Sequence, residues 1–340
     1  LARPEPPLSH FREIVMPFNR REIFAGAAFA AGSLSLGGLS APAFARVPMA
    51  TTQAAAAFRF KVGAFEVTAL HEGSASRPLD ASFVRNAEFK DVQSVLAENF
   101  LPTDTLNNSF TTMLVNTGSK LVLIDTGFND NGGPTTGRTV AQLKSIGIEP
   151  SQIDTILLSH FHGDHLQGVR AKDGKLVYPN AEIMAPEAEW AFWMDDARMA
   201  AAPDAMKGAF AGVRRVLSPN AADVKRFRWG QEVVTGITAV DASGHTPGHT
   251  AFAISNGGKT LMYAADAVVI PALFARNPEW RVMFDMDGEK AVATRKRILD
   301  MAATDRIQLS FYHANFPATG FIQKDGAGYR HIPASWSAAI

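Results

Sequence analysis

The chain has 340 residues, 46% of them apolar, which is enough for a substantial core. Its 33 basic and 33 acidic residues cancel, and nothing in that balance suggests a nucleic-acid partner, which would want a basic face. It has no cysteine, so disulfides, thiolate metal ligands and a cysteine nucleophile are all excluded, and an oxidising compartment is compatible with the composition.

Residues 1–45 read as an export segment. Arg20 and Arg21 precede an Ala/Gly/Ser-rich apolar stretch running to Leu39, and Ala41-Pro42-Ala43-Phe44-Ala45 supplies a small-x-small cleavage site. Paired arginines in this position resemble a twin-arginine export signal, which implies a periplasmic or secreted protein. Gly32, Ser33, Ser35, Gly37 and Gly38 interrupt the stretch and make it a poor spanning helix, so no stable membrane span is expected. Residues 46–57 read as a linker, and residues 58–340 as one catalytic domain.

From residue 58 the pattern becomes strand-like, with strands predicted at 58–62 and 65–70 and Gly63 as the turn. A polar, proline-punctuated segment follows. Residues 109–116 and 120–125 form a hairpin about Thr117-Gly118-Ser119, then 139–146 reads as a helix and 154–159 as a buried strand. An extended pair is expected over 176–185 and a helix over 186–194. The second half repeats the order: strands at 237–241, 250–254 and 260–265, a helix at 288–302 and a strand at 307–311. Strands then a helix, given twice, predict an α/β fold of two sheets packed face to face with helices outside.

The chemistry lies where the buried strand ends, in His160-Phe161-His162-Gly163-Asp164-His165. In extended chain, residues two apart point the same way, so His160 and His162 can grip one ion. Asp164 and His165, beyond the turn at Gly163, can reach a second. Imidazole plus carboxylate without thiolate suits zinc or a similar divalent metal. Further ligands are needed, and later strand ends offer them. His245 stands at a turn within Ser243-Gly244-His245-Thr246-Pro247-Gly248-His249, Asp266 is flanked by apolar sequence, and His313 follows the last strand. Taken singly, Asp266 reads more readily as an arginine partner or turn cap, and each histidine as a satisfied core residue. Together they complete a two-metal count: His160, His162 and His245 around one ion, Asp164, His165 and His313 around the other, Asp266 between them.

With these residues in order, the chain resembles the metallo-β-lactamase superfamily, which implies an αββα four-layer sandwich. The resemblance also implies that Asp125, in Asp125-Thr126-Gly127, supports the site from behind the ligands, although an ordinary turn explains that tripeptide too. His249 is read as a supporting or structural residue. Within the superfamily the likeness is nearest to methyl parathion hydrolase and its relatives, on residues 65–70, 114–123, 244–250 and Gly326-Ala327-Gly328-Tyr329-Arg330. That likeness implies an aromatic pocket to which Trp193, Trp190 and Phe210 contribute, with helix packing as the competing reading of the tryptophans. Asn129-Asp130-Asn131-Gly132-Gly133 departs from that group, which carries an aromatic there.

The expected function is hydrolysis of a small phosphotriester, carboxylic ester or lactone. Two divalent ions, zinc by default, would share an activated hydroxide, with Asp266 and Asp164 as the catalytic carboxylates. The alternative is a quorum-quenching N-acyl homoserine lactonase. Many such lactonases place a Tyr three residues after the bridging carboxylate, where this chain has Val269. A redox role is disfavoured by His162, and a non-catalytic binding role by the intact ligand set. Self-association as a homodimer is left open.

Overall fold

The computed structural model describes residues 49, 50 and 53–340, so the export segment and much of the linker lie outside the described residues. Residues 53–56 have no regular structure, and β1 (Ala57–Val62) opens the fold. It is followed by β2 (Phe65–Pro78), β3 (Thr105–Asn116), β4 (Leu121–Ile124), β5 (Thr155–Leu157), β6 (Glu182–Pro186) and β7 (Lys225–Phe227), which form one seven-stranded sheet in chain order. The first three pairings are antiparallel and the last three parallel.

The second sheet holds β8 (Glu232–Val234), β9 (Ile237–Asp241), β10 (Thr250–Asn256), β11 (Lys259–Ala265), β12 (Gln308–Phe311), β13 (Thr319–Asp325) and β14 (Gly328–Pro333), also in chain order. Only β11 and β12 pair in parallel, across the long helix Gly288–Asp305.

Period-two alternation explains the layering. In β4, Val122 and Ile124 point inward and meet Ile237, Phe252, Leu261 and Tyr263 of the other sheet, while Leu123 points outward. In β5, Leu157 is inward and Ile156 outward. The outward residues of the first sheet are covered by the helices Thr139–Ser145, Glu187–Trp193 and Asp204–Leu217 through Leu143, Trp193, Phe210 and Val213. On the second sheet, Met262, Ala264, Leu309 and Phe311 meet Ile298, Leu299 and Ala302 of the long helix. The result is the expected four-layer αββα sandwich.

The helix Gly288–Asp305 starts at Asp287, whose carboxylate accepts from the backbone N–H of Lys290 at 3.0 Å. Among the described residues no helix is long and apolar enough to cross a membrane.

Two expectations need correction. The extended pair over 176–185 is a single strand, Glu182–Pro186, preceded by an isolated bridge between Arg170 and Leu176. Pro179, which has no N–H to donate, and the turn at Gly174 prevent a ladder there. Conversely β2 runs on to Pro78 past a bulge at His71–Gly73 and pairs with a β3 that begins at Thr105. That extension carries polar and small residues, which hid it from an apolar pattern.

Candidate metal centre

The ligand loop is set by where β5 stops. Its backbone ends a parallel ladder at Leu157, and Ser159 and His160 are carried to full burial at the sheet edge. His162 then caps the one-turn helix Gly163–Leu166, which turns Asp164 and His165 back towards the sheet. The carbonyl of His165 accepts from the backbone N–H and hydroxyl of Thr126 at 2.8 and 2.9 Å.

His245 arrives on the turn between β9 and β10. Gly244 has φ +132°, and a Cβ there would lie 2.3 Å from the backbone nitrogen of Ala291; a Cβ on Gly248 would lie 2.1 Å from that of Glu189. Both glycines are demanded by close backbone approach, which fixes the path of the His245 turn. Asp266 follows the end of β11, and His313 follows β12, the strand beside it.

The structure brings all seven expected ligands together. His160, His162, His245 and Asp266 form one group and Asp164, His165 and His313 a second, with potential ligand atoms within 4.8 Å of one another in each. Asp266 faces both. Its Oδ2 lies 3.2 Å from His245 Nε2 and 3.2 Å from His313 Nε2, and its Oδ1 lies 3.4 Å from His165 Nε2. His162 presents Nδ1, 3.0 Å from His245 Nε2, whereas the other imidazoles present Nε2.

The residues fit a pair of divalent cations. His160 Nε2, His165 Nε2 and Asp266 Oδ1 are buried with no hydrogen-bond partner among the described residues, and all three point into the cluster. Such orphaned atoms are costly unless a cation takes them.

Protein groups hold the far nitrogen of several of these rings. Asp125 Oδ2 lies 2.8 Å from His165 Nδ1, and the same carboxylate accepts from the Ser159 N–H and hydroxyl and from Tyr263 OH at 2.7–2.8 Å. The main-chain oxygen of Ser109 lies 3.0 Å from His313 Nδ1. His249 lies behind Asp266: its Nε2 accepts from the Asp266 N–H at 3.1 Å and its Nδ1 faces the Ala242 carbonyl at 2.9 Å. Asp125 and His249 thus sit where the sequence reading placed them.

Electrostatics within the cluster is divided. Burial, with the neighbouring His165 and His162, pushes His160 well below the usual histidine range, and burial likewise takes His162 down to about 3. Burial also opposes charge on His245 and His313, but the Asp266 carboxylate, aided by Asp285 for one and Asp164 for the other, raises both to about 9. Burial acts against ionised Asp164 too, yet His165 and His313 outweigh it and hold its carboxyl well below the ordinary range.

Above the ligands opens a cavity of about 340 Å³, lined at its floor by His162, Asp164, His245, Asp266 and His313. Its walls are Phe83 and Phe284 on one side, Phe110 and Phe128 on another, with Val269 and Asn108. Each phenyl pair meets edge-to-face, with centroids 6.5 Å and 5.4 Å apart.

The expected pocket residues are elsewhere. Trp193 is fully buried behind His162, and Phe210 packs on it at 4.8 Å in the core outside the first sheet. Trp190 packs against the same core under the guanidinium of Arg226. Trp190, Trp193 and Phe210 therefore pack helices onto the sheet and line no wall of this cavity. Residues 129–133 carry no aromatic, but Phe128 just before them lines the cavity.

The profile of the metallo-beta-lactamase superfamily matches residues 106–306, which spans most of the ligand-bearing strands. The chain belongs to this superfamily. A curated relative, an N-acyl homoserine lactonase of a Bacillus species, is 27% identical over 180 residues. The match covers 52% of this chain and 62% of the relative, so the chain spans under two thirds of that relative's length. Among solved structures, AidC, described as a dizinc quorum-quenching lactonase in complex with a hexanoyl-homoserine product, aligns with a TM-score of 0.79 at 28% identity, covering 83% of this chain and 99% of AidC. The hydrolase AbOPH of the beta-lactamase superfamily aligns with a TM-score of 0.78 at 28% identity, covering 84% and 100%.

Two residues of this superfamily member escaped the sequence reading. Asp285 Oδ1 lies 2.9 Å from His245 Nδ1, and its other oxygen accepts from buried Arg295 at 3.2 Å. Glu189 accepts from the Phe161 N–H, the Trp193 indole, the Thr246 hydroxyl and the Gly248 N–H at 2.7–3.0 Å. It ties the loop of His160 and His162 to the turn of His245. Burial raises its pKa while these four donors act to lower it. The only trace of either in the sequence is an acid among apolar neighbours, the same signal that singled out Asp266.

Proposed function

We propose that this chain is a metal-dependent hydrolase that opens N-acyl lactones, with two divalent ions, zinc by default, held by His160, His162, His245, Asp164, His165 and His313 and shared through Asp266. The observation that carries this reading is a single carboxylate facing both ligand groups on the floor of an aromatic-walled cavity. The likeness to AidC and to a Bacillus lactonase favours a lactone over other esters. Bound divalent ions supply Lewis acidity and bring the pKa of coordinated water towards about 7.

The chain's own residues do the rest. Asp266 fixes the spacing of the two ligand groups. Asp164 lines the cavity, where its carboxylate can orient an attacking water. Phe83, Phe110, Phe128 and Phe284 exclude bulk water and receive an acyl chain, and Val269 adds apolar surface where a lactonase tyrosine would stand.

A second reading, an aryl phosphotriester, is favoured by those phenyl walls and by Val269, since a phenolic leaving group needs little protonation. Purified protein loaded with zinc should carry two ions per chain by mass spectrometry. It should open N-hexanoyl homoserine lactone with a kcat/KM at least tenfold above that for an aryl phosphotriester, and lose both activities on chelation. Protein carrying two ions that opens no lactone would reject the lactonase reading, and a triester preference would put the second in its place. On the Arg20–Arg21 pattern we also place the enzyme outside the cytoplasm, which fractionation of cells expressing the full chain tests.

A further inference from the structure

The cavity over the ligands has one uncharged polar side chain in its wall, and that side chain is unsatisfied. Leu106, Asn108 and Phe110 alternate along β3 and share a face. Leu106 is buried, and Phe110 stands edge-on to the His313 ring at 5.3 Å, so this face looks into the site. Between them Asn108 lines the cavity together with the ligands.

The Asn108 side chain makes no hydrogen bond among the described residues: its Oδ1 is fully buried, whereas its Nδ2 is not, and the residue lines the cavity. A free primary amide among four phenyl rings is a cost to folding that a well-packed apolar residue would avoid. Asn108 is also one residue from Ser109, whose carbonyl faces His313 Nδ1 at 3.0 Å, so the backbone that carries it is pinned to the ligand cluster.

We infer that Asn108 is a specificity-determining residue that recognises the secondary amide of the substrate, its Nδ2 donating to the amide carbonyl. This rests on the lactonase reading and deepens it, because it selects lactones that carry an N-acyl amino group over lactones that carry only an alkyl chain. The Asn108 Nδ2 carries two N–H donors, and the carbonyl of a secondary amide is a strong acceptor. A site built to hydrogen-bond a polar group rejects the analogue lacking it, because the site's own polar atoms are then left unpaired.

The test compares N-octanoyl homoserine lactone with a γ-lactone bearing an alkyl chain of similar length and no amide. Zinc-loaded wild-type protein should favour the amide substrate. Asn108→Leu should raise KM for it by at least about tenfold, leave the alkyl lactone within about twofold, and melt no lower than wild type, since an unpaired amide has been removed. Calorimetry of the ring-opened N-octanoyl homoserine product should show the same loss of affinity. Asn108→Ala provides the same comparison if the leucine variant fails to fold.

Equal effects on both lactones, or none on either, would overturn the assignment of Asn108 while leaving the lactonase reading intact. Failure of wild-type protein to open either lactone would overturn both.

Discussion

Asp285 Oδ1 lies 2.9 Å from Nδ1 of His245, and this contact decides which nitrogen of His245 faces the cluster. With Nδ1 turned to a carboxylate, Nε2 is free to point at Asp266 and His162. Asp285 is in turn held by Arg295, which also donates to the carbonyls of Ala267, Pro278 and Trp280. The long helix therefore orients a ligand histidine through two buried charges.

Asp285→Asn should weaken metal binding by roughly 10–100-fold, the range found when a partner behind a metal-bound histidine is removed. It also leaves Arg295 without its counter-charge, which should lower stability by about 3 kcal/mol, the carbonyl contacts limiting the loss. Competition with a chromogenic chelator measures the first effect and thermal melting of the metal-free protein the second. Unchanged metal affinity would show that Asp285 has no part in orienting His245.

The seven candidate ligands were legible in the sequence because His160, His245, Asp266 and His313 follow apolar strands, whose ends a sheet edge gathers, and the His-x-His-x-Asp-His motif supplies the rest. Asp125 was legible only through the resemblance to the superfamily, and His249 only through its place four residues after His245. The supporting acids were not. Asp285 lies in an irregular segment, and Glu189 lies on a helix whose aromatic residues dominate the pattern. The pocket misled in a specific way: the sequence displays Trp190 and Trp193 prominently, yet both are packed in the core outside the first sheet and line no wall of the cavity. Phe83, Phe110, Phe128 and Phe284 do reach it, from segments whose convergence only the tertiary structure sets.

That difference can be measured. Phe284 is 43% exposed at the cavity wall, and Phe284→Ala should raise KM for a long-chain N-acyl lactone by about 3–10-fold with melting nearly unchanged, since one partly buried phenyl ring contributes on the order of 1 kcal/mol of contact. Trp193→Phe should do the opposite. It removes the indole donor 2.7 Å from Glu189, which should destabilise the fold by about 1–3 kcal/mol with KM within error of wild type. A KM effect at Trp193 and none at Phe284 would restore the pocket the sequence suggested.

Acid should act on the fold at a place remote from the ligands. His331, on β14, packs edge-on against Phe311 at 5.1 Å, and its Nε2 is buried without a partner among the described residues. Burial pulls its pKa down to about 4, only partly opposed by its hydrogen bond to the Thr319 backbone carbonyl. The unfolded chain takes up a proton near 6.5, whereas the folded chain resists until about 4. Stability from this residue is therefore complete above about 6.5 and falls as the pH drops towards 4, by up to about 3 kcal/mol. His331→Phe keeps an aromatic ring against Phe311 and removes the titrating group. Urea unfolding of the metal-free protein at a series of pH values should then show a shallower loss of stability between pH 6.5 and 4 in the variant than in wild type. Because the ligand histidines are common to both proteins, the difference between the two curves isolates His331. Parallel curves would mean that this imidazole is charged, or solvated, in the folded chain.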